Sequence, residues 1–157
     1  MRARRRAAVV YHCPDTHAGR SRMAQSSFRK KFSSLDNVFD FIGRSLETLH
    51  VTDEVSYAVQ LSIEELFTNM VKYGQDSPEG VSIAIRREKE KLIIDLTERA
   101  DVPFQVADAP DVDTSLPLEE RKVGGLGIHL VRSLMDELHS EYADGLNRIT
   151  LIKNLEP

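Results

Sequence analysis

Two clusters in this 157-residue chain have the residue types and spacing for chemistry. The first is Glu65 and Asn69, four positions apart in a segment of helical periodicity, so both fall on one helix face. Such a pair has a plain reading, a solvated face with a side-chain hydrogen bond. It also has a chemical one. The carbonyl oxygen of Asn69 suits a hard cation such as Mg²⁺, which needs few protein ligands because phosphates and waters complete its octahedron. Glu65, one turn earlier, is then placed to take a proton from an attacking hydroxyl. The second cluster is Gly124-Gly125-Leu126-Gly127, opening a helix. Glycines let backbone N–H groups approach phosphate oxygens, and the helix N-terminus favours negative charge. Arg121 and Lys122 precede it and could meet phosphate charge. The cluster lacks the lysine-serine ending of a P-loop, and no strand leads into it as a dinucleotide-binding turn requires.

The other reactive side chains carry less. His12, Cys13 and His17 have no second cluster to close a tetrahedral metal site. His129 reads as a partly exposed helix residue, and His50 and His139 as surface or helix-end residues.

The elements that must position the two clusters follow from periodicity. Phe28, Lys30 and Phe32 alternate with Arg29 and Lys31, which predicts an edge strand. Leu35, Val38, Phe39, Ile42, Leu46 and Leu49 form one apolar face of a first helix. Thr52 caps a second, with Asp53 and Glu54 in its first turn; it continues through Val55, Val59, Ile63, Leu66 and Met70 to Gly74. Strands over 81–86 and 92–97 read as a hairpin around a charged turn at 87–91. Residues 98–123, with Pro103, Pro110, Pro117 and many acidic side chains, read as a lid. A third helix places Ile128, Val131, Leu134, Met135 and Leu138 on one face, and a last strand over 148–153 follows an Asp144-Gly145 turn. The expected class is α+β, a two-layer α/β sandwich with helices on one face of a mixed sheet.

Composition narrows the function. The chain is 41% hydrophobic and 29% charged, enough for a core. The net charge of −4 is uneven: residues 1–22 carry six arginines and one aspartate, net +5, while 23–157 hold 15 basic against 24 acidic side chains, net −9. An acidic body argues against direct nucleic-acid binding. No apolar run approaches a membrane span, and a single cysteine, Cys13, fits a reducing cytoplasm. Residues 1–22 are expected to be a basic extension, disordered or preceding a true start at Met23, with 23–157 as the working domain.

Taken together, Glu65-Leu66-Phe67-Thr68-Asn69, Pro103-Phe104 before the acidic lid, and Glu119 through Val131 with its glycines resemble one family. It is the anti-sigma-factor serine kinases, small members of the GHKL ATPase superfamily, which also includes histidine kinases and gyrase. The similarity continues through Met135-Asp136-Glu137-Leu138 and Asn147-Arg148-Ile149-Thr150-Leu151, covering about 27–153. The resemblance implies a Bergerat-type fold with ATP and Mg²⁺ as cofactors. Glu65 matches the general base, Asn69 the Mg²⁺ ligand, and Gly125 and Gly127 the glycines that hold the triphosphate. It extends the nucleotide-binding set to Lys72, Asp101, Lys122, Gly124, Leu126 and Thr150. Members bind a sigma factor, phosphorylate a serine on an anti-anti-sigma protein of STAS fold, and usually work as homodimers.

The chain departs from the family pattern before Pro103-Phe104. Relatives carry Asp-x-Gly there, the Asp accepting the adenine amino group; counting back from Phe104 puts Arg99 and Asp101 at those positions. Glu98 or Asp101, one or two residues away, could substitute. Tyr73 stands where relatives often have His. Two readings follow: a serine/threonine kinase and anti-sigma regulator, or a degenerate partner-binding regulator of the same fold with weak or no ATP binding. A detached histidine-kinase catalytic domain ranks behind both.

Overall fold

The computed structural model describes residues 22–74, 78–103 and 125–155. Along the chain run β1 (Met23–Phe28), a 3-10 turn (Phe32–Ser34), α1 (Leu35–Thr48), α2 (Asp53–Tyr73), β2 (Val81–Glu88), β3 (Lys91–Arg99), α3 (Gly125–Leu134), β4 (Glu137–Ala143) and β5 (Leu146–Asn154). The strands form one sheet in the order β1-β2-β3-β5-β4. Every pairing among them is antiparallel, where the sequence reading expected a mixed sheet.

Period-two alternation decides which side of the sheet the helices cover. Val81, Ile83 and Ile85 of β2, Leu92, Ile94 and Leu96 of β3, and Ile149 and Leu151 of β5 are buried under the helices. Their partners in the core are Val38, Phe41, Ile42 and Leu46 of α1, Val59, Ile63, Leu66, Phe67 and Met70 of α2, and Ile128 and Val131 of α3. Each such side chain contributes about 1.5–3 kcal/mol by leaving water. The expected two-layer α+β sandwich is therefore the observed architecture, with helices on one face.

The start of α2 follows its capping residue, whereas Ser34 before α1 makes no capping bond with its side chain. The Thr52 hydroxyl accepts from the Val55 amide at 3.3 Å, as its position before Asp53 and Glu54 predicts. In α1 the buried stripe is Val38, Phe41, Ile42, Ser45 and Leu46, with Phe41 inward where the sequence reading placed Phe39. The polar Ser45 obscured that stripe. Its hydroxyl donates to the Phe41 carbonyl at 2.7 Å, so it is buried at little cost. Phe41 also meets Phe28 of β1, ring centroids 5.6 Å apart.

Three expectations shift. The first strand lies at Met23–Phe28, earlier than the Phe28, Lys30, Phe32 pattern suggested, because Met23 to Phe28 pair with Arg86 to Val81; Phe32 is half exposed. The β2–β3 turn is only Lys89-Glu90, with Lys89 at φ 53°. The third helix stops at Leu134, and Leu138 belongs to β4. The chain leaves the helix because the Asp136 amide already donates to Ile152 across to β5, while Lys153 Nζ takes the Leu134 carbonyl at 2.8 Å. Asp144 and Gly145, at φ 53° and 74°, then close a β4–β5 hairpin, both central residues having the positive φ of a type I′ turn.

Candidate functional site

The site is built on the middle of α2. Ser62, Glu65 and Asn69 lie within about 60° of one another around the helix, a polar strip beside the apolar one. Asn69 is buried and Glu65 half-buried. Helix α3 packs on this strip through its first turn. A Cβ added at Gly127 would overlap Glu65 Oε2 and lie 3.6 Å from Asn69 Nδ2. Gly127 is thus the residue that lets α3 reach the Glu65–Asn69 face, and two clusters about sixty residues apart in sequence meet here. With Glu65 in this position, only a residue without a side chain fits there.

The arrangement has three chemical capacities. The amino-terminal end of α3, a ten-residue helix beginning at Gly125, favours an anion. Glu65 and Asn69 offer hard oxygen donors within one helical turn, a set suited to Mg²⁺ shared with phosphates. Among the described residues no group of three or more His, Cys, Asp or Glu side chains is arranged to hold a metal by itself, so a cation here would depend on its ligand's oxygens. The missing side chain of Gly127 is what leaves the Glu65 carboxylate its place beside the first turn of α3.

The remaining sequence-predicted residues are placed variously. Lys72 is exposed in the last turn of α2, where its charge suits the helix terminus. Thr150 pairs opposite Asp95 on the sheet face away from the helices and donates to Asp95 Oδ1 at 2.6 Å; Asp95 also binds Arg86. The structure therefore does not bring Thr150 to Glu65 and Asn69. Its phase in β5 decides this: Asn147, Ile149 and Leu151 point to the helices, and Thr150 points away. Gly125 lies in the first turn of α3, followed by Leu126. Arg121, Lys122 and Gly124 lie outside the described residues, as does most of the expected lid. His129 is exposed on α3, and His139 is exposed on β4 beside Glu137.

The end of β3 shows where the residues counted back from Phe104 lie. Leu92, Ile94, Leu96 and Glu98 face the helices, so Glu98 takes the inward position, 2% exposed. Arg99 points outward and pairs with Glu79 at 2.9 Å, both more than half exposed. Asp101 is exposed beyond the strand. Glu98 Oε2 accepts from Lys30 Nζ at 2.9 Å, with side-chain exposures of 1% and 3%. Lys30 was not singled out from the sequence. The available signal was a lysine sharing the Phe28 face of an alternating pattern. Asn147, also buried, donates to the Val102 carbonyl at 3.1 Å and ties down the segment after β3.

Comparison with known proteins bears on the family and the fold. The family described as histidine kinase-like ATPase domain matches residues 28–153. No curated protein matched. Among solved structures, the RsbU and RsbW domains of Rv1364c from Mycobacterium tuberculosis are similar, with TM-score 0.63 and 12% identity over 86% of this chain and 33% of that one. The chain thus spans about a third of that protein's length, and at this identity the likeness concerns the fold. The histidine kinase AdeS of Acinetobacter baumannii also aligns, with TM-score 0.47 and 11% identity, over 85% of this chain and 68% of that one.

Proposed function

The chain belongs to the histidine kinase-like ATPase domain family, and on that premise we propose that it is an ATP-binding anti-sigma regulator that phosphorylates a serine of a STAS-fold partner. The observation that supports this reading is the close approach of Gly127 to Glu65 and Asn69, which brings a carboxylate, a carboxamide and a helix amino terminus together. That the matched neighbour includes a domain named RsbW is consistent with a partner-switching role. In this reading the chain works as a homodimer in the cytoplasm and alternates between a sigma factor and the STAS protein. No helix among the described residues is long and apolar enough to cross a membrane.

The roles follow from position. The amino-terminal turn of α3 would hold the triphosphate, with Lys122 adding charge. Asn69 would hold Mg²⁺, which when bound neutralises phosphate charge. Glu65 would accept the proton of the partner's serine hydroxyl as its oxygen bonds to the γ-phosphorus and the bond to ADP breaks. Alignment and charge neutralisation supply most of the acceleration in such a transfer, and a general base adds about 10²–10⁴-fold. The test is transfer of labelled γ-phosphate from Mg·ATP to a STAS partner. Glu65→Gln should lose transfer while still binding nucleotide; full transfer by that variant would remove Glu65 from the role.

A second reading, a partner-binding regulator that no longer phosphorylates, is favoured by one observation. The only inward carboxylate at the end of β3, Glu98, is already ion-paired, and Arg99 faces solvent. Calorimetry with Mg·ATP and Mg·ADP separates the readings, since the kinase must bind both.

A further inference from the structure

The Lys30–Glu98 pair joins three segments that are distant in sequence. Lys30 follows β1, Glu98 ends β3, and the lysine's tip fits against the carboxyl end of α2. Gly74 makes that fit possible: a Cβ there would stand 2.8 Å from Lys30 Nζ and 2.5 Å from the Met70 carbonyl oxygen. Gly74 has an ordinary extended conformation, φ −79° and ψ 161°, so its lack of a side chain is used for space. Both charges are almost wholly removed from water. A desolvated pair of this kind is seldom more stabilising than well-packed apolar side chains, so stability is a poor reason for having it. Gly74, which the lysine's tip meets, lies five residues beyond Asn69, about 7.5 Å along the axis of α2 at 1.5 Å per residue, within the reach of one nucleotide.

This inference rests on the nucleotide reading above and takes Glu98, the inward one of the two carboxylates that the sequence offers in place of the family's Asp, as the acceptor from a base. We propose that Lys30 is an internal competitor for that carboxylate: its ammonium occupies Glu98 in the nucleotide-free protein and must leave before the exocyclic amine of adenine can reach the oxygen. An ammonium carries three donors and a full charge, whereas an amino group of a base is a neutral donor. Nucleotide affinity is therefore held down by the exchange, and any partner that draws the segment after β1 away from α2 would raise it. The pair makes the site conditional.

Calorimetric titration of Mg·ADP into the full chain tests this with Lys30→Met and Lys30→Gln, each checked for folding by thermal melting. Lys30→Met is expected to bind at least about tenfold more tightly than wild type, since one displaced charge-assisted bond of about 1.5–3 kcal/mol corresponds to that factor or more. Lys30→Gln, which keeps a neutral donor, is expected between the two, and it carries the test if the methionine variant does not fold. Tight binding by the variants alone, with none by wild type, gives the same answer. Measurable wild-type binding that the folded variants leave unchanged or weaken would overturn the competition and leave the nucleotide reading standing. Absence of heat from all three proteins would overturn both.

Discussion

Gly127 and Glu65 approach so closely that a single methyl group at position 127 would overlap the carboxylate. The contact ties the amino terminus of α3 to the polar face of α2, and it makes the geometry of one cluster depend on the other. A helix amino terminus alone attracts anions of many kinds, and a Glu-Asn pair alone is a common surface feature. Their contact sets an anion-favouring helix terminus beside two hard oxygen donors.

Gly127→Ala should separate catalysis from folding. The added Cβ meets a side-chain oxygen that can swing, so the fold survives, and alanine's higher helix propensity returns up to about 1 kcal/mol. Glu65 must move, and displacement of a reacting group by about 1 Å can cost about 10²-fold in rate. Phosphoryl transfer is expected to fall by about that factor with a melting temperature near wild type, measured by labelled phosphate transfer and thermal melting.

Gly80→Ala should do the reverse. Gly80 sits at φ 73°, and its missing Cβ would run into the Phe28 carbonyl, whose carbon lies 2.9 Å away and cannot yield without breaking the β1–β2 pairing. Left-handed backbone strain alone costs about 1–3 kcal/mol for a non-glycine residue, and the collision adds to it. Urea denaturation should show a loss of at least that size.

Phe67→Ala should cost about 3–5 kcal/mol, because Phe67 is fully buried in the core beneath α2 and its removal leaves a cavity. The cost should appear as a lower denaturation midpoint with an unchanged slope. A loss under 1 kcal/mol would mean the helix layer is far looser than its burial implies.

The β4 edge predicts a modest pH effect. Hydrogen bonds from His139, at 2.9 Å, and from Lys91 hold the Glu137 carboxyl below the usual carboxylate range. A depressed carboxyl stabilises the fold above its unfolded-state value and loses that contribution as pH falls through the folded one. The stability difference between wild type and Glu137→Gln should therefore close as pH drops below that range. Added salt should shrink it at neutral pH, because the groups are solvent-exposed. A difference that grew on acidification would contradict the assignment.

Much of the architecture was legible in the sequence because its signals are local. The α2 boundaries, set by Thr52 and Gly74, and the Asp144-Gly145 turn depend on a few adjacent residues, and the structure has them where the pattern predicts. The layer class follows from the same periodicities. Strand β4 was missed because Leu138 continues the apolar rhythm of α3; pairing with β5 across the hairpin, a tertiary choice, ended the helix at Leu134. The identity of Glu65, Asn69 and Gly127 as notable residues was also available from their types and spacing. Their contact was not, since it requires α3 to cross α2 at one turn, and only the packed core determines that crossing. Phase along β3 likewise turned Glu98 inward and Arg99 outward, which a count from Phe104 could not establish. Residue chemistry and short-range periodicity are properties of the chain, whereas which functional groups touch is decided by burial of the apolar faces that carry them.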